Sequence, residues 1–197
     1  MIVGREGGSL WDVATETQSF LLNFNGSAAP IYSVAISPDG NRLAASLRLS
    51  TDRDLVVLDA NRTAEQQRRE ILPRSTLGHF LVNSWSLDGE RLAGQMGAVG
   101  EMATGILVYS FKTKTYEKVA DFGEWPVWLP DGRRILFVAN RNAFYIVDSR
   151  TKAVRKIFSA ERDVIGPPRL TRDGRTAYFS RRITEADIWL LTLRSER

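Results

Sequence analysis

A four-residue turn phrase, written four times, constrains the fold of this chain more than any other feature. It reads Ser37-Pro38-Asp39-Gly40, Ser86-Leu87-Asp88-Gly89, Leu129-Pro130-Asp131-Gly132 and Thr171-Arg172-Asp173-Gly174. The glycines are 49, 43 and 42 residues apart. Self-similarity at such a period marks a solenoid, a propeller or another repeat array.

The flanks of the phrase repeat as well. An apolar run precedes each Asp-Gly: Ile31–Ile36, Phe80–Trp85, Trp125–Trp128 and the weaker Pro168–Leu170. A second run follows each: Arg42–Leu47, Arg91–Gly94, Arg134–Val138 and Thr176–Ser180. Two strand-length runs joined by Asp-Gly read as a β-hairpin, because both turn residues tolerate φ > 0. A third run comes next, in Ser9–Val13, Leu55–Asp59, Ile106–Ser110, Phe144–Asp148 and Asp187–Leu191. A looser fourth run follows in Phe20–Phe24, Arg69–Leu72, Tyr116–Val119 and Val154–Phe158. Four short antiparallel strands in ~40–45 residues are one propeller blade.

The spacing therefore predicts an all-β chain, a β-propeller of four-stranded antiparallel blades. It forms one repeat domain over residues 1–197, with a partial blade at 1–24, blades at about 30–72, 79–120 and 124–158, and a last blade at 166–193. The polar insert Asn61–Glu70 is the one place for a short helix. Val34, Ile36, Leu43, Trp85, Leu92, Trp128, Ile135, Phe137 and Tyr178 are the expected core. Some four and a half blades result, which predicts an incomplete, C-terminal part of a larger propeller. The alternative is partial closure, with the N-terminal segment completing the last blade.

Leu10–Thr15, with Ile31–Ala44, resembles a tryptophan–aspartate repeat. The later repeats, in Leu129–Phe137 and Ala186–Leu190, resemble the TolB-type, WD-like propeller repeats of bacteria. Thr184–Leu193 is similar to the C-terminus of propellers attached to bacterial serine/threonine kinases. The resemblance implies a binding, sensing or scaffold module. The chain departs from the tryptophan–aspartate pattern in having one histidine, His79, and Trp-Asp only at Trp11-Asp12. The buried tetrad of that family is therefore not carried over.

Elementary chemistry excludes several functions. No Gly-x-Ser-x-Gly elbow, Walker A loop or Gly-x-Gly-x-x-Gly fingerprint occurs. Zero cysteines and a single histidine leave no usual zinc ligand set, and no cofactor is expected. The repeated aspartates read as turn residues. A net charge of +4 is scattered over small clusters such as Arg68-Arg69, Arg133-Arg134 and Arg181-Arg182, so no nucleic-acid partner is expected. No apolar run approaches the ~20 residues of a membrane span. No signal-peptide pattern follows Met1, so the chain as written reads as cytoplasmic, or as extracytoplasmic if it is a piece of a membrane-linked protein.

Function is thus expected to be binding without catalysis, with a protein or peptide partner and self-association through open blade edges. The alternative is the accessory, substrate-gating propeller of a prolyl-oligopeptidase-like peptidase. The candidate contact residues lie on loops that precede innermost strands, His79 and Trp125, or join second and third strands, Arg48, Arg141 and Arg182. Charged and aromatic side chains on such loops suit a polypeptide partner.

Overall fold

The computed structural model describes residues 2–4, 7–12, 14–23, 31–48, 53–63, 65–97, 103–171 and 173–183. Among them every regular element is a strand. An N-terminal sheet holds β1 (Ile2–Gly4), β2 (Gly7–Asp12) and β3 (Thr17–Asn23). Blade I is β4 (Ile31–Ile36), β5 (Arg42–Arg48), β6 (Arg53–Asp59) and β7 (Glu70–Ile71). Blade II is β8 (Phe80–Trp85), β9 (Arg91–Met96), β10 (Gly105–Ser110) and β11 (Thr115–Ala120). Blade III is β12 (Glu124–Trp128), β13 (Arg134–Ala139), β14 (Ala143–Asp148) and β15 (Val154–Ser159). Each blade pairs its strands antiparallel in chain order. The last unit, blade IV, holds β16 (Val164–Ile165), β17 (Arg169–Leu170), β18 (Ala177–Tyr178) and β19 (Arg181–Arg182). Here β17 pairs β18 and β16 pairs β19, so one hairpin is interrupted where Pro167 and Pro168 remove backbone donors. The expected third strand of this blade lies outside the described residues.

The turn phrase closes each hairpin in one way. Gly40, Gly89, Gly132 and Gly174 have φ between 60° and 76°. Each donates its N–H to the residue three before it, Ser37, Ser86, Leu129 or Thr171. Glycine supplies the left-handed step, while the aspartate serves as an acceptor. Asp39 and Asp88 take the hydroxyl of Ser37 and Ser86 and the N–H of Asn41 and Glu90. Asp131 takes the N–H groups of Arg133 and Arg134.

Side chains alternate across a strand, so each blade has two faces. Ile135 and Phe137 of β13 pack with Ala93, Ile106 and Val108 of blade II. Leu136 and Val138, one residue out of phase, point to Ala160 and Ile165 on the other side. Both faces being covered explains the unbroken apolar run of β13. Blades I and II share a second core that includes Leu55, Val82, Trp85 and Tyr109.

Leu43, Trp85, Leu92, Trp128, Ile135 and Phe137 are buried as expected, and Val34 is half-buried. Two core expectations are corrected. Ile36 is 44% exposed because the last residue of β4 faces the axis of the molecule rather than a neighbouring blade. Tyr178 is 63% exposed because it faces away from the groove that its strand neighbour Ala177 lines. The insert after β6 forms turns: Gln67 bonds both backbone groups of Asp59 and the carbonyl of Arg62, replacing a helical ladder by side-chain bonds.

Candidate recognition surfaces

The innermost strands β4, β8, β12 and β17 converge on an open depression of about 600 Å³ at the Asp-Gly end. Ile36, Asn83, Leu87, Val127 and Arg169 are among its lining residues, with Trp85 and Trp128 beneath. Leu87 is 53% exposed although it is a large apolar side chain. Mixed apolar and polar linings of this size, within the usual ~300–1,000 Å³, suit a ligand that is partly apolar and partly hydrogen-bonded.

The two tryptophans are clamped from the preceding blade. The Arg42 guanidinium lies 4.9 Å from the Trp85 ring centroid, and that of Arg91 lies 4.7 Å from Trp128. Arg42 and Arg91 also donate to the carbonyls of Gly89 and Gly132, at 3.4 and 2.6 Å. The Trp85 indole N–H shares the Gly89 acceptor, whereas the Trp128 N–H is buried without a partner beside the shorter arginine bond.

A second recurrent contact crosses the same seams nearer the opposite end. Ser46 Oγ accepts the N–H of Val82 at 3.0 Å, and Gln95 Oε1 accepts that of Trp125 at 2.9 Å. Both acceptors occupy the same place in the repeat. Both donors sit at a bulge, between Val82 and Ser84 in β8 and between Glu124 and Val127 in β12. The bulge takes the N–H out of its own ladder and gives it to the preceding blade.

Trp125 is half-buried at φ +55°, with the Arg141 guanidinium 5.5 Å from its ring centroid. Arg141 also pairs with Glu124 at 3.4 Å. Burial pushes the Glu124 carboxyl up, and the Arg141 charge opposes that rise. The structure thus brings Trp125 and Arg141 together. It separates them from His79, which is exposed in another recess of about 260 Å³ with Arg74, Thr76 and Tyr116. Arg74 is fixed there by buried Asp54 through Nε and Nη2. Arg48 ends β5 opposite Arg53, and Arg182 is exposed opposite Val164.

Among the described residues no three His, Asp or Glu side chains gather as a metal site would need. The turn carboxylates are occupied with local bonds. The Arg–Trp clamp was missed in the sequence. Its signal was an arginine at the same place after three of the Asp-Gly turns, Arg42, Arg91 and Arg134, with Trp85 and Trp128 one repeat later.

No protein-family model matches the sequence, and no curated protein matches it. Solved structures do. TolB from Acinetobacter baumannii superposes with a TM-score of 0.64 at 19% identity, over 86% of this chain and 41% of that one. A protein assigned as TolB from Agrobacterium tumefaciens gives 0.57 at 16% identity, over 82% and 65%. Hydrazine synthase from Kuenenia stuttgartiensis gives 0.56 at 19% identity, over 79% and 43%. The chain therefore spans less than two thirds of each of these relatives. At these identities the likeness is one of fold: the chain has the β-propeller architecture of TolB-type proteins.

Proposed function

We propose that this chain is a non-catalytic binding propeller whose partner is a protein or peptide. The observation that carries the reading is the open depression where four innermost strands meet, with Ile36 and Leu87 exposed at its rim. Exposed apolar side chains in a concave, mixed lining are what a polypeptide partner buries. The Trp125–Arg141 pair at the opposite end offers a second contact, with Arg141 62% exposed over an aromatic ring.

Capture from native cell extract separates the two. Ile36→Glu with Leu87→Glu should abolish partner retention, while Trp125→Ala with Arg141→Ala should weaken it less. Equal retention by both variants and the wild type would refute both contacts. Turnover of a peptidase substrate by the purified chain would refute the non-catalytic reading. A finer form of the proposal makes the chain the C-terminal sensor part of a bacterial serine/threonine kinase; its residues, 184–193, lie outside those described. A kinase encoded in frame upstream supports that form, and a hydrolase downstream supports the peptidase-gating alternative.

A further inference from the structure

The seam between blades III and IV lacks the clamp of the other two. Leu170 stands where blades II and III have Trp85 and Trp128. Arg134 stands where Arg42 and Arg91 stand, but its Nε turns back to Asp131 of its own turn. The turn glycine has moved too. Gly89 and Gly132 sit beside Arg42 and Arg91, whereas Gly174 sits against Pro130. What remains is a groove of about 430 Å³, lined by Leu136, Ile146, Ile157 and Leu170, with Arg134 and Arg175 at its margin beside Asp131 and Asp173, whose carboxylates are taken up by Arg134 and by the Thr171 hydroxyl and Arg175 N–H. Ile157 is 45% exposed, and Arg155, on the same face of β15, adds a further cation.

Charge is distributed to match. Residues 131–182 hold 13 Lys and Arg against 5 Asp and Glu, whereas residues 1–130 hold 12 against 15. Five of those cations, Arg133, Arg134, Arg141, Lys152 and Arg181, are paired with carboxylates. Arg155 and Arg175 have no carboxylate partner among the described residues.

We propose that this groove docks an aromatic side chain, tryptophan above all, from an acidic segment of a partner polypeptide. The other two seams are the internal template: each holds an indole under the guanidinium that Arg134 repeats. Arg155 and Arg175 then meet the acidic flanks of the segment. A guanidinium over an indole in a partly dry groove is favourable in its own right, and complementary charge orients the approach. The groove adjoins the depression and shares Leu129, Pro130 and Leu170 with it, so the two sites are told apart by residues that line only one of them, Ile36 in the depression and Arg134 and Arg175 in the groove.

The test uses fluorescence anisotropy with a labelled pentapeptide, a tryptophan between two pairs of acidic residues. It should bind, and replacing its tryptophan by alanine should weaken binding about tenfold or more. Leu170→Trp supplies the indole from within and should remove peptide binding while raising the melting temperature. Arg134→Glu with Arg175→Glu changes only surface groups and should also remove it. Ile36→Glu, in the depression, should leave it unchanged. Equal binding of the alanine peptide, or full binding by Leu170→Trp, would overturn the proposal. So would peptide binding that is absent while a poly-dT oligonucleotide or phosphatidylserine vesicles bind.

Discussion

The seams on either side of blade III are built from the same repeat and differ in kind. On the blade II side, Phe137 is fully enclosed, Arg91 covers Trp128, and Gln95 reaches across to the backbone of Trp125. On the blade IV side, Leu136 lines an open groove, Arg134 bonds within its own turn, and Ile157, Phe158 and Phe179 stay partly exposed. One residue type explains most of the contrast. An indole at the end of an innermost strand gives the preceding blade's arginine a surface to cover and draws the two turns together. Arg91 keeps its pair with Asp88 while it covers Trp128, whereas opposite Leu170 the described contacts of Arg134 are those with Asp131.

Truncation of the two faces of blade III should separate them most. Phe137→Ala should cost about 3–5 kcal/mol in chemical denaturation, because a fully buried ring leaves a cavity. Ile157→Ala should cost less than about 1 kcal/mol, as expected of a half-exposed side chain. Similar losses at both positions would erase the distinction between the seams.

The repeated arginines offer a finer comparison. Arg91→Ala removes a ring contact, a bond to Gly132 and a pair with Asp88, and should cost about 1–3 kcal/mol. Arg134→Ala loses an exposed pair and should cost less than about 1 kcal/mol. Equal costs would mean that the clamp contributes nothing. Ser46→Ala orphans the buried N–H of Val82 and should cost about 1–3 kcal/mol, which thermal melts can check.

The smallest effect is one of pH. Bonding from Arg133, with help from the Thr151 and Arg150 N–H groups, holds the Asp148 carboxyl down at about 2. An unfolded aspartate titrates near ~3.9, so the unfolded chain binds the proton first. The stabilisation is complete above about pH 4 and is lost as pH falls toward 2. Asp148→Asn should flatten the acid limb of a stability–pH curve, and an unchanged limb would show that the Arg133 pair is without effect.

Much of the fold was legible in residues 31–160. The strand order of blades I to III follows from apolar runs and from glycine at a left-handed turn position, which are local signals. The recognition surfaces were less so. Loop position in the repeat marks Trp125 and Arg141, and the structure places them in contact. The same criterion groups His79 with them, yet it lies in a different recess, because adjacency between loops of different blades depends on how the blades stack. Ile36 and Tyr178 were misplaced for the same reason: alternation says that a side chain leaves one face of a sheet, not whether another blade stands there.

The sequence by itself determined the repeat, the hairpin turns, the four strands of blades I to III and the absence of any familiar catalytic motif. These rest on interactions within a few residues of one another. The tertiary structure alone decided which faces are sealed and which stay open. An arginine near one turn and the residue closing the next blade's innermost strand are more than 35 residues apart, and only stacking shows whether they meet. At two seams they meet as guanidinium on indole, and at the third the pairing is replaced by a groove.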